Sequence, residues 1–203
     1  MRSRPTMKLM IILAVLLLPA CGLASEKGDQ PAGNLAKQLI EAVRKGDQKA
    51  VQTLLDQGAD IESTDESGNP ALDVAVSKGH LEIVQLLISR GANVNARDHN
   101  ASTPLISAAY FGRPQIAKWL IQSGAEINVI NSADHTALIL AARKGYAEVA
   151  QILLDNGAEL ETKDYAGATA LHLAAQYGNH DVASLLVAKG AQIDPVREVN
   201  KYT

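Results

Sequence analysis

Histidine, cysteine and carboxylate side chains are the residues of this chain that could support chemistry. The sequence has five histidines and one cysteine, and it contains no G-x-S-x-G, no H-E-x-x-H and no paired C-x-x-C. These spacings would mark a hydrolytic nucleophile or a zinc site. Gly28 and Gly33 have the spacing of a phosphate-binding loop, but Asn34 and Leu35 follow in place of Lys and Ser or Thr. The sequence therefore predicts no catalytic residues, no metal, no cofactor and no enzyme activity.

The histidines fall into two groups by position. His99 and His135 are predicted near the tips of two neighbouring turns, where a shared metal site and two solvated loop side chains are both open interpretations. His80, His172 and His180 stand at positions fixed by a repeat, and we expect them to be structural.

The elements that position these side chains come from a repeat of 33 residues. Three series recur with this step: Gly-Ala pairs at 58–59, 91–92, 124–125, 157–158 and 190–191; single glycines at 46, 79, 112, 145 and 178; and alanines at 42, 75, 108, 141 and 174. A glycine just past a helix can take the left-handed conformation that ends it. Two such glycines per unit predict two short helices, and the repeated alanine allows adjacent first helices to approach closely.

Side-chain spacing predicts where these helices begin and which face they bury. Thr103-Pro104 is typical of an N-cap followed by a first helical residue, whereas Asn69-Pro70 stands one position earlier and predicts an earlier start. In each second helix, apolar residues recur at i, i+3 and i+4. Trp119 aligns with such positions, so we expect it in the core.

Two segments carry a resemblance to a known family. Residues 167–175 read G-A-T-A-L-H-L-A-A, and residues 91–96 read G-A-N-V-N-A. They resemble the T-P-L-H-x-A-A and G-A-D-V-N motifs of the ankyrin-repeat family, whose exported bacterial members the chain also resembles. The resemblance implies an all-α solenoid of stacked helix–turn–helix repeats with β-turn fingers. It predicts about five repeats over 34–195, near 34–63, 64–96, 97–129, 130–162 and 163–195.

The chain departs from the family motif at two places. The motif histidine is kept only at His172, and its counterparts are Asp73, Ile106 and Ile139. That histidine ties neighbouring repeats together in the family, so we expect the inner repeats to depend more on packing.

The second departure is in the turns. The turn glycine is kept at Gly68 and Gly167 but becomes Ala101 and Asp134 in the middle units. We expect these two fingers to be distorted.

The first residues are typical of an export signal. Arg2, Arg4 and Lys8 precede the unbroken apolar run 9–18, which is too short for a permanent membrane anchor. Either Met1 or Met7 can be the start. Residues 18–21, Leu-Pro-Ala-Cys, resemble the lipobox of bacterial lipoproteins, in which Cys21 would carry the lipid.

Cleavage by an ordinary signal peptidase after 22–24 is the alternative. We expect a signal peptide at 1–21, a flexible linker at 22–33 and a tail at 196–203. The expected location is the periplasm, with anchoring to the outer membrane if Cys21 is lipidated.

Charge argues against nucleic acid as a partner. The net charge is −3, and without residues 1–20 the chain keeps 16 basic and 22 acidic residues, a net charge of −6. A mildly acidic body lacks the basic patch that nucleic acid requires. We expect contact with a membrane only through a lipid at Cys21.

The resemblance implies a partner protein on the concave face, which the turn tips and first helices form. Four of the seven aromatic residues occupy positions on this face, and packing against neighbouring fingers is the alternative role for Tyr110 and Phe111. The predicted partner-binding residues are Glu66, Lys78, His99, Tyr110, Phe111, His135, Arg143, Lys144, Tyr165 and Tyr177. We expect a monomeric adaptor that supports an exported enzyme, or alternatively an immunity protein or inhibitor that neutralises a toxin or enzyme.

Overall fold

The polypeptide forms a row of helix pairs. A computed structural model describes residues 31–193. Its helices are α1 (Pro31–Lys45), α2 (Gln48–Asp56), α3 (Ala71–Lys78), α4 (Leu81–Ser89), α5 (Pro104–Tyr110), α6 (Pro114–Gln122), α7 (Ala137–Lys144), α8 (Ala147–Asp155), α9 (Ala170–Gln176) and α10 (His180–Ala188). The β-pairing in this range is limited to an isolated antiparallel bridge between Thr64 and Pro70. The predicted all-α solenoid is confirmed.

The helices stack in two rows. The first helices of the pairs contact one another in the order α1, α3, α5, α7 and α9, and the second helices in the order α2, α4, α6, α8 and α10. Ala75, Ala108, Ala141 and Ala174 are fully buried in the row of first helices. A methyl side chain at each of these positions lets the helices pack closely, and no unit buries its apolar face without its neighbour.

Several expectations fall on residues outside this range. The signal segment, Cys21, residues 22–30 of the predicted linker and the tail 196–203 all lie outside the described residues. Helix α1 begins at Pro31, so residues 31–33 of the predicted linker are helical.

The middle fingers are not distorted, so that prediction was wrong. Ala101 and Asp134 have φ values of 56° and 55°, which lie in the same left-handed region as Gly68 and Gly167 at 74°. Asp98 Oδ1 accepts hydrogen bonds from the N–H groups of Asn100 and Ser102, both at 2.8 Å. The same pattern recurs in the next finger. The turn's hydrogen bonds therefore hold a conformation that costs a residue with a Cβ about 1–2 kcal/mol.

Helix α3 does not begin early, which corrects a second prediction. It begins at Ala71, in register with Pro104 of α5, and Pro70 is its N-cap with ψ near 151°. The extended ψ places Pro70 outside the helix. In α5 the expected cap is present, because Thr103 Oγ1 accepts a hydrogen bond from Ile106 N at 3.4 Å.

Trp119 lies at the surface, so its assignment to the core was wrong. Its side chain is 36% exposed, whereas the buried residues of α6 are Ile116, Ala117 and Leu120. The aligned position is only partly buried in the other second helices as well, as Leu86 shows. The position borders the apolar face, and an indole is too large to be covered there.

A row of side chains joins each pair to the preceding one. Asn179, just before α10, donates hydrogen bonds to the carbonyl oxygens of Ala142 at 2.8 Å and Arg143 at 3.0 Å. Arg113, just before α6, likewise donates to the Ser77 carbonyl at 3.0 Å. A Cβ at Gly145 would stand 2.6 Å from Asn179 Oδ1, and this glycine has a φ of +79°. The single glycines at 46, 79, 112 and 145 therefore lie at the ends of first helices and also make room for a side chain of the next repeat.

Candidate binding groove

The fingers and the first helices α3, α5 and α7 enclose a groove of about 620 Å³. We call it the inner groove. Two hydrogen bonds fix the fingers beside it: Ser132 N donates to Asn100 O at 2.9 Å, and Asn131 Nδ2 donates to Ser102 Oγ at 3.3 Å. The groove is lined by Arg44, Asp65, Asn69, Asp73, Val74, Ser77, Lys78, Asp98, Asn100, Ser102, Ile106, Ser107, Tyr110, Phe111, Asn131, Ser132, Ala133, His135, Leu140 and Arg143.

Five of the ten residues predicted to bind a partner line this groove. They are Lys78, Tyr110, Phe111, His135 and Arg143. They come from three helices, a residue that follows α5, and one finger, so the fold brings together residues that are up to 65 positions apart in the chain. Their role in binding stays a prediction.

The other five lie outside the groove lining. Tyr165 and Tyr177 are 76% and 56% exposed, and Glu66 is exposed on a finger. His99 packs over Gly68 of the preceding finger, where a Cβ would clash with its ring. Lys144 lies beside the groove, because its side chain contacts the ring of Tyr110, a groove residue.

Tyr110 and Phe111 form an aromatic pair at the end of α5. Their ring centroids are 5.0 Å apart with an interplanar angle of 86°, an edge-to-face contact. Lys144 Nζ lies 4.4 Å from the centroid of the Tyr110 ring, within range of a cation–π interaction. Tyr110 is 37% exposed and Phe111 is 41% exposed. The pair is thus held in place by its neighbours and still presents apolar surface to solvent.

Asp73 is the most unusual polar residue of the groove. It lies in the first turn of α3, where the family motif has histidine, and its side chain is only 7% exposed. Within residues 31–193, no group donates a hydrogen bond to its Oδ1 atom. Burial, reinforced by the charges of Asp98 and Asp65, raises the pKa of Asp73 to about 6, although hydrogen bonding with Ser107 opposes the shift.

Asp65 and Asp98 bring two more carboxylates to the groove. Asp65 accepts hydrogen bonds from Ser67 N at 2.9 Å and Asn69 N at 3.0 Å, and one of its oxygens is 3.8 Å from an Arg44 nitrogen. Burial raises the pKa of Asp65, but the hydrogen bonds from Asn69 and Ser67, together with Arg44, hold it below its ordinary value. Both carboxylates therefore shape their fingers and add negative charge near Asp73.

His135, just before α7, also lines the groove. Burial and the positive charge of Arg143 lower its pKa, while Asp164 and Asp134 act in the other direction. The shared metal site with His99 gains no support from the geometry, because residues 31–193 contain no group of three or more potential metal ligands.

Asp73, Asp65 and Asp98 line the groove but are not among the residues that the sequence predicts there. A signal was present for Asp73, because a carboxylate replaces the histidine of a repeated motif on a helix face that is otherwise apolar. Its burial and its neighbours follow from the stacking of three repeats, which a motif within one repeat does not encode.

The described fold defines a class of protein: a helical repeat protein with a continuous groove along its inner helices and fingers. Across residues 31–193, no helix combines the length and apolar character needed to span a bilayer.

The family follows from a comparison with family models. The model described as "Ankyrin repeats (3 copies)" matches residues 39–131 and 129–197. The chain belongs to the ankyrin-repeat family. A search of curated proteins gives no significant match. Ankyrin repeats are protein–protein interaction modules, and the family is typically non-catalytic.

Proposed function

We propose that this ankyrin-repeat protein is an exported, monomeric adaptor without enzyme activity that binds one partner protein through the inner groove. The observation that carries the proposal is the half-exposed Tyr110–Phe111 pair in the wall of a polar groove. Exposed aromatic and Arg side chains dominate the energetics of protein interfaces. The partner we favour is an exported enzyme that the adaptor supports.

Rigidity of the groove supports this proposal. Two of the fingers are hydrogen-bonded to each other through Asn100–Ser132 and Ser102–Asn131, and side chains such as Asn179 and Arg113 join adjacent repeats. A preformed surface loses little conformational entropy on binding, so a few anchor residues suffice for affinity. We therefore expect the groove to change little in shape when the partner binds.

Export is proposed from the sequence of the first residues. Basic residues followed by the apolar run 9–18 are typical of a signal peptide, and Cys21 stands where a lipoprotein would be acylated. Mass spectrometry of the mature N-terminus tests this part alone. A diacylglyceryl-modified Cys21 supports anchoring, an end at Ser25 supports a soluble periplasmic form, and an unprocessed chain contradicts export.

Affinity purification from envelope extracts tests the binding part. We compare the wild type with Tyr110→Ala/Phe111→Ala/Arg143→Ala, which removes three groove side chains. Truncation of one such anchor commonly weakens binding by about 2 kcal/mol or more. The triple variant should therefore lose a specifically co-purifying protein.

Trp119→Ala is the matched control. It also removes a half-exposed aromatic side chain, but one on α6 outside the groove lining. It should retain the partner. Equal loss in both variants, or a triple variant that no longer folds by circular dichroism, would contradict binding through the groove.

A further inference from the structure

We propose that the inner groove binds an arginine side chain of the partner protein at Asp73, a proposal that rests on the function proposed above. Asp73 lines the groove with a carboxylate that is more than nine-tenths buried. Its Oδ1 atom receives no hydrogen bond from residues 31–193. A buried carboxylate oxygen without a donor carries a desolvation penalty, which a donor from a ligand would offset.

The surroundings of Asp73 are negatively charged. Asp65 and Asp98 also line the groove, and their charges reach Asp73 strongly enough to affect its ionisation. Arg44 offsets part of the charge of Asp65 at 3.8 Å, whereas Asp98 forms no ion pair within residues 31–193. A cation brought by a partner would relieve the repulsion among these carboxylates and would supply the missing donor.

Apart from Arg44, the Lys and Arg residues that line the groove belong to the ends of α3 and α7. Lys78 ends α3, five positions after Asp73, which corresponds to about 7.5 Å along a helix. Arg143 lies near the end of α7. The groove is thus acidic near the start of α3 and basic near the ends of the first helices, which suits a partner segment with an arginine followed closely by an acidic group.

A guanidinium fits this site better than a metal ion. The three carboxylates do not form a metal-binding group, since no cluster of three potential ligands exists in the described part of the chain. Guanidinium presents five N–H donors across a plane, so it reaches acceptors that do not converge on one point.

The probe is N-acetyl-arginine amide, titrated at pH 7.5 into the full-length protein carrying ¹³C-labelled aspartate. N-acetyl-citrulline amide, an uncharged analogue of similar shape, is the control ligand. We expect a saturable shift of the Asp73 carboxyl resonance with the arginine compound and binding at least about fivefold weaker with the citrulline compound. Asp73→Asn, which also assigns the resonance, should weaken binding of the arginine compound about tenfold.

Two further variants keep the test decisive. Asp98→Asn should weaken binding of the arginine compound about twofold to threefold while the Asp73 resonance remains visible. Asp155→Asn removes a carboxylate outside the groove lining and should change nothing. Equal response to citrulline, or undiminished binding in Asp73→Asn, would overturn the proposal.

The outcome separates this proposal from the proposed function. Envelope extracts could yield a groove-dependent partner while the arginine compound does not bind. That result would contradict the proposed arginine site and support the proposed adaptor function. If the arginine compound binds at Asp73 and no partner is captured, the adaptor is wrong. If both succeed, Asp73→Asn should also reduce capture of the partner about tenfold.

Discussion

The rings of Tyr110 and Phe111 meet edge to face with centroids 5.0 Å apart, and Lys144 Nζ lies 4.4 Å from the centre of the Tyr110 ring. The contact holds two apolar side chains in one orientation while each remains more than a third exposed. Such an arrangement stabilises the fold less than a buried pair would, and it leaves a rigid apolar patch for a ligand.

Replacing both rings should therefore affect stability only modestly. Tyr110→Ala/Phe111→Ala should lower the free energy of unfolding by about 1–2 kcal/mol, since the ring contact and partial burial are lost. Leu138→Ala, at a fully buried position of α7, should cost about 2–5 kcal/mol. Urea unfolding measures both variants. If the aromatic double variant proves as unstable as the Leu138 variant, the pair is a structural element and not a binding patch.

Asp73 should give stability a distinctive pH dependence. Its folded-state pKa of about 6 lies above the ordinary value of 3.8, so the folded protein binds this proton more tightly than the unfolded chain. The stabilising effect of protonation is complete below about pH 4 and is lost as pH rises through about 6. Relative to the wild type, Asp73→Asn should therefore gain roughly 2–3 kcal/mol between pH 4 and pH 7.5.

Urea unfolding at the two pH values measures this difference. Asp155→Asn is a control for which the change in relative stability with pH should have the opposite sign. Hydrogen bonds from Lys189 and Gln151 lower the pKa of Asp155. This variant should lose stability relative to the wild type as pH rises. A difference between Asp73→Asn and the wild type that is the same at both pH values would show that Asp73 does not titrate as described.

The connection between the last two repeats depends on Asn179. Asn179→Ala removes two hydrogen bonds to the carbonyl oxygens that end α7 and should lower the free energy of unfolding by about 1–2 kcal/mol. Hydrogen exchange should become faster mainly in α9 and α10. Asn156→Ala is the matched control, since Asn156 donates only to Ile152 O in its own repeat. Equal effects in the two variants would argue against coupling through Asn179.

Replacing Ala101, the left-handed residue in the finger of the third repeat, should stabilise the protein. Ala101 has a φ of 56°, where a Cβ costs about 1–2 kcal/mol, so Ala101→Gly should raise the free energy of unfolding by about 0.5–1 kcal/mol after the entropy cost of glycine. Ala133→Gly in the next finger lacks this strain and should instead be slightly destabilising. Thermal unfolding of both variants measures these stability changes. A destabilised Ala101→Gly would mean that the Ala101 methyl group packs favourably enough to outweigh the strain.

The repeat pattern was sufficient to predict the helix pairs, because the residues that end and cap helices act locally. The glycines at step 33 and Thr103 are examples. The exposure of Trp119 was not predictable in this way. Its alignment with Leu86 does not indicate how far an indole projects beyond the buried face of the helix. Ala101 was misjudged because hydrogen bonds to the Asp98 side chain outweigh the intrinsic preference of alanine.

The groove was predictable only in outline. Tyr110, Phe111 and Arg143 were identified because their register places them on the exposed side of first helices. Asp73 was noticed only as a departure from the motif. Its missing hydrogen-bond donor and its two acidic neighbours depend on residues from adjacent fingers and helices, so they emerge only when the repeats stack.

Site-specific photocrosslinking in cells that express the protein is the most direct test of binding through the inner groove. A benzophenone amino acid replaces Phe111 in one variant and Trp119 in the other, and both positions are comparably exposed. We predict a crosslink to one protein from position 111 and none from position 119. A crosslink to that protein from position 119 and none from position 111 would contradict the account.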